Sequence, residues 1–501
     1  MSEPQETRKP SKLKLTYIVT AVAISCLMIG VSFGIITRGT SPASAPPTII
    51  YPDELQVYKM NGVRYVGPDG TNDPGRINDA LDDVAGIGGG LVMLALGTYD
   101  MNASIMVHSN TALAGAGPGT KLVFESGVLG GITFGSGATN IMVCNLWAKG
   151  AGATSPNANG ITGAYLNNVT IENCYASEWS DDMILFEGPY ARNIKILNNF
   201  VLDGPEGIEV KGGSNYTISG NHVWNVSQPL EITSREPYDN FIRDVLVSEN
   251  IFAGTQRGIW FYGNVSRVII TDNSIEGTTE SAILTSPTSV SSYPENILIS
   301  GNTIKDSHYG LAFTTQTMNP RDFLVQGNMF IRLSEKGIWF NTPCQNISII
   351  GNQFHDITVT GGGTAIAVRL SSPVTNLVIN QNVFTNVKSY TIYELGPGTM
   401  VQGNSFFNDV GGANALSING NNCTVTGNLF RTDATNAIYI NTGITNTTII
   451  ANGFSGCSYA VYSAGTSDYT YLIGNNLKGC LTGTGYSLTG SNNVISNNTG
   501  I

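Results

Sequence analysis

The chain has 501 residues, 59 of them glycine, with 12 % charged residues and a net charge of −11. Glycine together with Asn, Ser, Thr, Ile and Val suits short strands joined by tight turns and excludes an architecture of long helices. An acidic balance with no basic patch excludes nucleic acid as a partner.

The chain opens on Arg8, Lys9, Lys12 and Lys14, followed by LTYIVTAVAISCLMIGVSFGIIT (15–37), which carries no charge and is long enough to span a bilayer as a helix. Only Arg38 follows closely, so the positive-inside rule predicts a cytoplasmic tail (1–14), a transmembrane anchor (15–37) and an extracellular remainder. TRGTSPASAPP (37–47) reads as stiff chain within a stalk over 38–57. The alternative is a signal peptide cleaved after ASA (43–45), but Pro46 follows that triplet and the apolar run is long for a signal. Nine Asn-X-Ser/Thr sequons, at Asn102, Asn168, Asn215, Asn225, Asn264, Asn346, Asn422, Asn446 and Asn497, fit a cell-surface glycoprotein, although a chain rich in Asn and Thr generates such triplets unaided.

Residues 58–130 read as an N-terminal cap and first coils. VGPDGTNDPGRINDALDDVAGIGGGLVMLALGTYD (66–100) places an Asp-Gly turn before a short amphipathic helix over 74–85, with Pro74 early and a glycine just beyond, where helix ends favour them. A Gly-Gly-Gly turn and a strand follow.

Residues 131–501 are repetitive. TISGN (217–221) returns as VSEN, ITDN, ISGN and VQGN, so that asparagine recurs at Asn199, Asn221, Asn250, Asn273, Asn302, Asn328, Asn352, Asn382, Asn404, Asn428, Asn452, Asn475 and Asn498. Asn173 in VTIENC reads as an earlier, imperfect copy. The intervals average roughly 25 residues, a solenoid period. Each repeat shows an N-x-x-I-x-x-N-x-F strand, as in NISIIGNQF (346–354), and a short segment such as GIEV (207–210) or GIWF (258–261, 337–340), whose Ile and Val alternate inward. Three short strands per coil give a parallel β-helix, right-handed by the crossover rule, with coils roughly 4.8 Å apart. The recurring Asn side chains then stack at one corner as a hydrogen-bonded ladder. Of seven cysteines, Cys26 falls in the anchor, and Cys457 and Cys480 each follow a ladder Asn by five residues, on adjacent coils. They are close enough there for a disulfide; two buried thiols are the alternative. No Cys/His spacing suggests zinc. The last residues, NNVISNNTGI, end on a coil with no capping helix, an open edge that invites a partner or self-association.

Across residues 60–501 the chain resembles the pectate-lyase-like superfamily of right-handed parallel β-helices. The ladder repeats carry the fold likeness, and the 66–100 segment is similar to the opening segment of rhamnogalacturonase- and epimerase-type members. The resemblance implies an all-β, single-stranded solenoid, here preceded by one transmembrane helix, whose capping helix plugs the open end of the core. It also implies action on acidic or deoxy-sugar polysaccharides as a lyase, hydrolase or epimerase. SDD (180–182) resembles the paired aspartates of polygalacturonase-like members. The family's Gly-His-Gly, Arg-Ile-Lys, DPHD and RxPxxR motifs are absent from this sequence, which cuts against each particular activity.

The repeat supplies a register for locating a site. Aligning DMILFEG (182–188), EGIEVKG (206–212), PLEITS (229–234) and GIWFYG (258–263) stacks Leu185, Glu209, Glu231 and Trp260 in one outward row and Glu187, Lys211, Thr233 and Tyr262 in the next. Asp182 and Glu206 begin their strands and Arg257 joins that edge; further along, the first row continues through bland Leu284, Ala312, Ala367 and Ser417. The candidate catalytic set is Asp182, Glu206, Glu209, Glu231 and Lys211, with Glu209 leading. Two of its carboxyls can serve as acid and base in glycoside hydrolysis. Alternatively Asp182, Glu206, Glu209 and Glu231 hold Ca²⁺ against an acidic sugar while Lys211 or an arginine removes a proton, the logic of a lyase. Trp260, Tyr262, Arg257 and Arg235 are the candidate substrate contacts, with Trp339, Tyr393, Tyr439 and Tyr462 further along the Trp260 row. Insertions at 233–244 and 285–296 flank the cluster and can wall a groove. His222 reads as surface. Two functions follow: an anchored extracellular enzyme that binds and cleaves or modifies a polysaccharide, or a non-catalytic β-helix serving adhesion or the cell surface.

Overall fold

The computed structural model describes residues 58–60, 62–234, 241–254, 256–286, 293–314, 319–358, 364–407, 414–482 and 485–500. The expected tail, anchor and stalk, Arg235, and much of both insertions lie outside them. Among the described residues no helix is long and apolar enough to cross a membrane.

Three strands make each coil, as in Glu295–Ser300, Thr303–Lys305 and Tyr309–Phe313. Successive coils pair in parallel: Ile297 with Phe323, Ile304 with Phe330, and Leu311 with Ile338. NISIIGNQF, read from sequence as one strand, is two, Cys344–Ile350 and Gln353–His355. The break is the ladder corner. The residue before each ladder asparagine has positive φ (Gly220 +69°, Gly301 +66°, Glu249 +58°), which turns the chain there and explains the frequent glycine in ISGN. Inside, Ile, Val, Leu and Phe of all three faces fill the core. The Phe after the corner stacks coil upon coil, with ring centroids 4.6 Å apart for Phe330–Phe354 and 5.0 Å for Phe354–Phe384.

The asparagine ladder is present and buried. The Asn302 Oδ1 accepts from both the backbone N–H (3.0 Å) and Nδ2 (2.9 Å) of Asn273. The Asn302 Nδ2 donates to the Ile270 carbonyl (2.9 Å), the Ser300 carbonyl (3.0 Å) and Asn328 Oδ1 (2.9 Å). One side chain thus ties three coils and satisfies backbone groups that the corner strips of strand partners. The column starts at Asn199, whose Oδ1 accepts from the Cys174 backbone N–H. Asn173 is therefore no rung: Cys174 holds the ladder position, and Asn173 (φ +54°) holds the turn position before it.

A second row of asparagines lies on the surface. Asn168 donates to Asn140 (2.9 Å), Asn215 to Asn193 (2.6 Å) and Asn346 to Asp322 (2.8 Å). The sequon residues Asn168, Asn215, Asn225, Asn346, Asn422, Asn446 and Asn497 all have positive φ. Turn chemistry accounts for those triplets without glycosylation, because Asn tolerates the left-handed region.

The expected cap is the helix Asp73–Gly86, which buries Ile77, Ala80, Leu81 and Val84 against the first coils. Its buried Asp73 carboxylate accepts the backbone N–H groups of Asp69 (2.8 Å) and Asp100 (3.0 Å), pinning the helix start to the first coil. Cys457 and Cys480 do stand on neighbouring coils, as thiols with sulfurs 3.6 Å apart. At the far end Ile495 is 37 % exposed, whereas its register partner Leu472 is fully buried.

Replacing one rung tests the ladder. Asn302→Leu leaves the Asn273 backbone N–H buried without an acceptor, at about 1–3 kcal/mol for that group alone. The expected result is a lower midpoint in urea unfolding, with the loss reaching about 3 kcal/mol once the lost donor bonds are included. Asn302→Asp keeps the acceptor but buries a charge and loses the amide donor. Its loss should be at least as large near neutral pH and shrink on acidification.

Candidate active site

The acidic residues gather beside the corner between the second and third strands, on the first coils of the ladder. Most coils turn sharply between the second and third strands. In the strands Phe200–Lys211 and His222–Thr233 that corner falls inside one continuously paired strand, at Asp203 (φ +57°) and Asn225 (φ +54°); they pair first with Tyr175–Ser177 or Ile251–Ala253 and then with Asp182–Glu187 or Ile259–Tyr262. Along the third face the register is Leu185–Glu209–Glu231–Trp260 and Glu187–Lys211–Thr233–Tyr262, as the alignment required. Asp182 pairs with Glu206 and Glu206 with Gln228.

The preceding coil fixes the Asp181–Asp182 corner. The Trp179 indole plugs the interior and donates from Nε1 to the Ala148 carbonyl (3.2 Å). A Cβ added at Gly131 would lie 2.6 Å from that indole, so glycine is required there. The Asp181 N–H donates to the Ala158 carbonyl (3.2 Å) and the Asp182 N–H to Asn159 Oδ1 (2.9 Å).

Carboxylate oxygens of Asp181, Asp182 and Glu206 lie within 4.8 Å of one another. Asp182 is 3 % exposed, and its Oδ1 is buried with no hydrogen-bond partner. Burial first, then the Glu209, Glu206 and Asp181 carboxylates, raise Asp182 well above the ordinary carboxylate range, with Lys211 opposing. Asp181, half-buried and more accessible, is raised by burial and Glu209. Glu209 and Glu231 point away from the core, yet they are only 2 % and 1 % exposed. The Glu209 oxygens are committed, one accepting from the Thr233 hydroxyl (2.9 Å) and the other ion-paired to Lys211 Nζ (2.9 Å). Burial alone would lower the Lys211 pKa; the Glu209 ion pair and hydrogen bond, with Asp182 and Glu187, outweigh it and leave it raised.

From Glu206 a polar chain runs along the corner. Gln228 Nε2 donates to Glu206 (3.3 Å), Arg257 Nη1 donates to Gln228 Oε1 (3.2 Å), and Arg257 Nε donates to Glu280 (2.8 Å). The Arg257 guanidinium lies 4.5 Å from the Trp260 ring centre, and Trp260 meets Tyr262 edge to face at 5.1 Å. Asp182, Glu206, Glu209, Glu231, Lys211, Arg257, Trp260 and Tyr262 thus occupy adjacent coils of one face. His222 is exposed beside Phe200 on the second face, as expected for a surface residue. Sequence reasoning left Asp181, Gln228 and Glu280 out of the site: all three sit at the corner, where strand alternation assigns no direction. It also misplaced one coil. Trp339 pairs with Arg369, and Ala367 does not lie in the row. The alignment of AIAV (365–368) with GIWF (337–340), which put Ala367 in the row, is two residues out of the observed register, so the row is charged where it was read as bland.

This is a parallel β-helix with an acidic corner at the start of its ladder. The model of the right-handed β-helix region matches residues 130–291 and 285–406, more than half the chain, and the chain belongs to that family. No curated protein matches it in sequence. Among solved structures it is similar to the A-module of the Azotobacter vinelandii mannuronan C-5 epimerase AlgE4, at 16 % identity over 86 % of this chain and 97 % of that one, with a TM-score of 0.39. A GH87 α-1,3-glucanase catalytic domain is similar at 15 % identity over 74 % and 67 %, with a TM-score of 0.41. The pre-mature bacteriophage phi29 gene product 12 is similar at 13 % identity over 85 % and 72 %, with a TM-score of 0.52. At these identities the likeness concerns fold.

The raised Asp182 pKa has a stability consequence. A carboxyl whose folded pKa exceeds its unfolded value binds its proton more tightly when folded, so its stabilising effect is complete below the unfolded pKa and is lost as pH rises through the folded one. Near neutral pH the folded chain therefore bears a cost at Asp182. Asp182→Asn should be more stable than the parent there, by on the order of 1 kcal/mol. The gap should close towards about pH 4. Thermal unfolding across that pH range checks the sign.

Proposed function

We propose that this β-helix cleaves glycosidic bonds of a polysaccharide, with Asp181 and Glu206 as the carboxyl pair that meets the substrate. The observation carrying this reading is the Asp181–Asp182–Glu206 cluster within 4.8 Å, two of whose members hold their protons above the ordinary carboxylate range. A carboxyl that retains its proton is what a general acid needs, and a neighbouring carboxylate supplies the base or nucleophile. Asp182 is the buried member that keeps a proton in the cluster. Glu209 holds Lys211, and Glu231 lies behind Trp260 in the same row. Two of the similar structures are named for polysaccharide chemistry, an epimerase and a glucanase; the reading rests on the acidic corner and not on them.

The geometry weighs against proton abstraction by Lys211, because the Glu209 ion pair holds the ammonium protonated. A lyase reading keeps one supporting observation: the partnerless, buried Asp182 Oδ1 beside Asp181 and Glu206 is a donor set that fits a hard cation such as Ca²⁺. In that reading these residues hold the ion, which supplies charge against an acidic sugar. The membrane part of the proposal rests on the uncharged 15–37 run and the basic residues before it, which support a single-pass protein with the β-helix outside the cell. Self-association through the last described coil, where Ile495 is 37 % exposed, belongs to the same proposal.

A panel of acidic and neutral polysaccharides, each with added Ca²⁺ or EDTA, separates these readings. Hydrolysis gives new reducing ends without unsaturated products and without a Ca²⁺ requirement; unsaturated products that need Ca²⁺ give the lyase. No product of either kind on a broad panel favours the adhesive protein. Asp181→Asn should lower kcat at least about a hundredfold with KM little changed. Lys211→Met removes the cation that opposes the raised carboxyl pKa values, so the alkaline limb of the kcat/KM profile should move to higher pH. An unmoved limb rejects that coupling.

Alkaline carbonate extraction of cells making the full chain tests the anchor. The protein should stay in the membrane pellet and, after deletion of residues 15–37, be lost from it.

A further inference from the structure

Five and six coil steps beyond Glu209 the same row carries Trp339 and then Arg369, followed by Tyr393. Here the face is cationic and aromatic. Lys336 is buried, paired with Glu335, and lies 4.7 Å from the Tyr309 ring centre and 4.6 Å from that of Trp339. Tyr309 donates to Glu335 (3.0 Å), and the Trp339 indole N–H donates to Ser371 (3.0 Å), which holds that ring in place while leaving it half-buried. Tyr309, Glu335 and Lys336 therefore satisfy one another.

Arg369 is different. Its nearest carboxylate, on Glu394, is 3.9 Å away, beyond hydrogen-bond reach, and its Nε is shielded with no hydrogen-bond partner. The guanidinium stands over the Tyr393 ring at 5.6 Å, and its side chain is 30 % exposed. A guanidinium with donors to spare between two half-buried aromatic rings has the chemistry that recognises an anionic substituent on a sugar. The fork takes a carboxylate or sulfate in two parallel hydrogen bonds, and the rings take the apolar face of a pyranose.

We propose that Arg369, Trp339 and Tyr393 form a binding site for a negatively charged sugar, distinct from the acidic corner. At roughly 4.8 Å per coil the two lie about 29 Å apart. That is more than three screening lengths of about 8 Å at physiological salt, so the corner's negative charge does not weaken the site. The site deepens the polysaccharide reading by assigning an acidic or sulfated chain as ligand, and it rests on that reading only for the link to turnover.

Binding is measured with the full-length Asp181→Asn chain, so that turnover does not consume the ligand. The probes are polygalacturonate, carboxyl-reduced polygalacturonate and dextran sulfate, each by isothermal titration. The anionic probes should bind and the reduced polymer should not. Adding Arg369→Gln should weaken binding about ten- to hundredfold, with Arg369→Lys in between. Trp339→Ala should also weaken it. Binding of polygalacturonate alone assigns a carboxylate, of dextran sulfate alone a sulfate ester, and of both a site that accepts either anion. Equal affinity for the reduced polymer, no binding of any probe, or indifference to Arg369→Gln overturns the proposal. Arg369-dependent binding in a chain whose parent turns nothing over would sink the hydrolase reading and leave this site standing.

Discussion

Everything in this molecule depends on a buried column of amide groups. A coil of three short strands must turn three times, and each turn takes backbone groups out of the sheet. At the ladder corner the Asn side chain returns those bonds, reaching back to one coil and forward to the next, as Asn302 does between Ile270 and Asn328. An amide suits this position because it donates and accepts at once; a carboxylate only accepts, and an apolar side chain does neither. With the corner fixed, the register of every strand is fixed too, because a slip of one residue would turn the core outward.

That constraint explains what could be read beforehand. The spacing of Asn199 to Asn498 located the coils, and the row Leu185–Glu209–Glu231–Trp260 followed by counting. It failed in the places where counting has no physical basis. Asp181 lies in a turn, where alternation assigns no direction. Arg369 was missed because its strand lies two residues out of the register that matches AIAV (365–368) to GIWF (337–340), and AIAV fits the apolar template equally well there. Burial was hidden as well: Glu209 and Glu231 point away from the core, which in an isolated sheet means solvent, yet they are shielded. Glu209 consequently changes meaning, from a residue expected to meet substrate to one that holds Lys211.

Charge is handled differently at the corner than elsewhere on the coils. Surface charges are commonly paired one to one across coils: Arg267 with Asp244, Arg332 with Asp306, Arg321 with Glu295. Such pairs contribute little stability and need no further purpose. At the corner Asp181, Asp182, Glu206, Glu209 and Glu231 gather on adjacent coils, and among the described residues Lys211 is the ammonium set into them. Nothing in the folding of a solenoid calls for this, since Leu and Ala fill the same row at 284 and 312. A cost that the architecture does not require is the physical ground for the proposed site.

The location of the cluster has its own mechanical reason. Asp181 and Asp182 end a turn plugged by Trp179 that begins at Glu178 (φ +58°), whereas the next two coils turn at Asp203 (φ +57°) and Asn225 (φ +54°) within the continuously paired strands Phe200–Lys211 and His222–Thr233. Asp181, Asp182 and Glu206 converge because Asp182 and Glu206 are register partners on neighbouring coils and Asp181 adjoins Asp182 at the turn. Each is held by a hydrogen-bonded strand or a packed indole, so the convergence is set by the scaffold and needs no closure of a loop. In the following coils the row consists of single side chains spaced one coil apart. Such spacing suits gripping a long chain at separated points, as Trp260 and Trp339 stand three coils apart, and it does not bring three carboxyls together. The corner is therefore where the proposed chemistry on one sugar linkage would be assembled, and the proposed anion site lies on the remainder of the row.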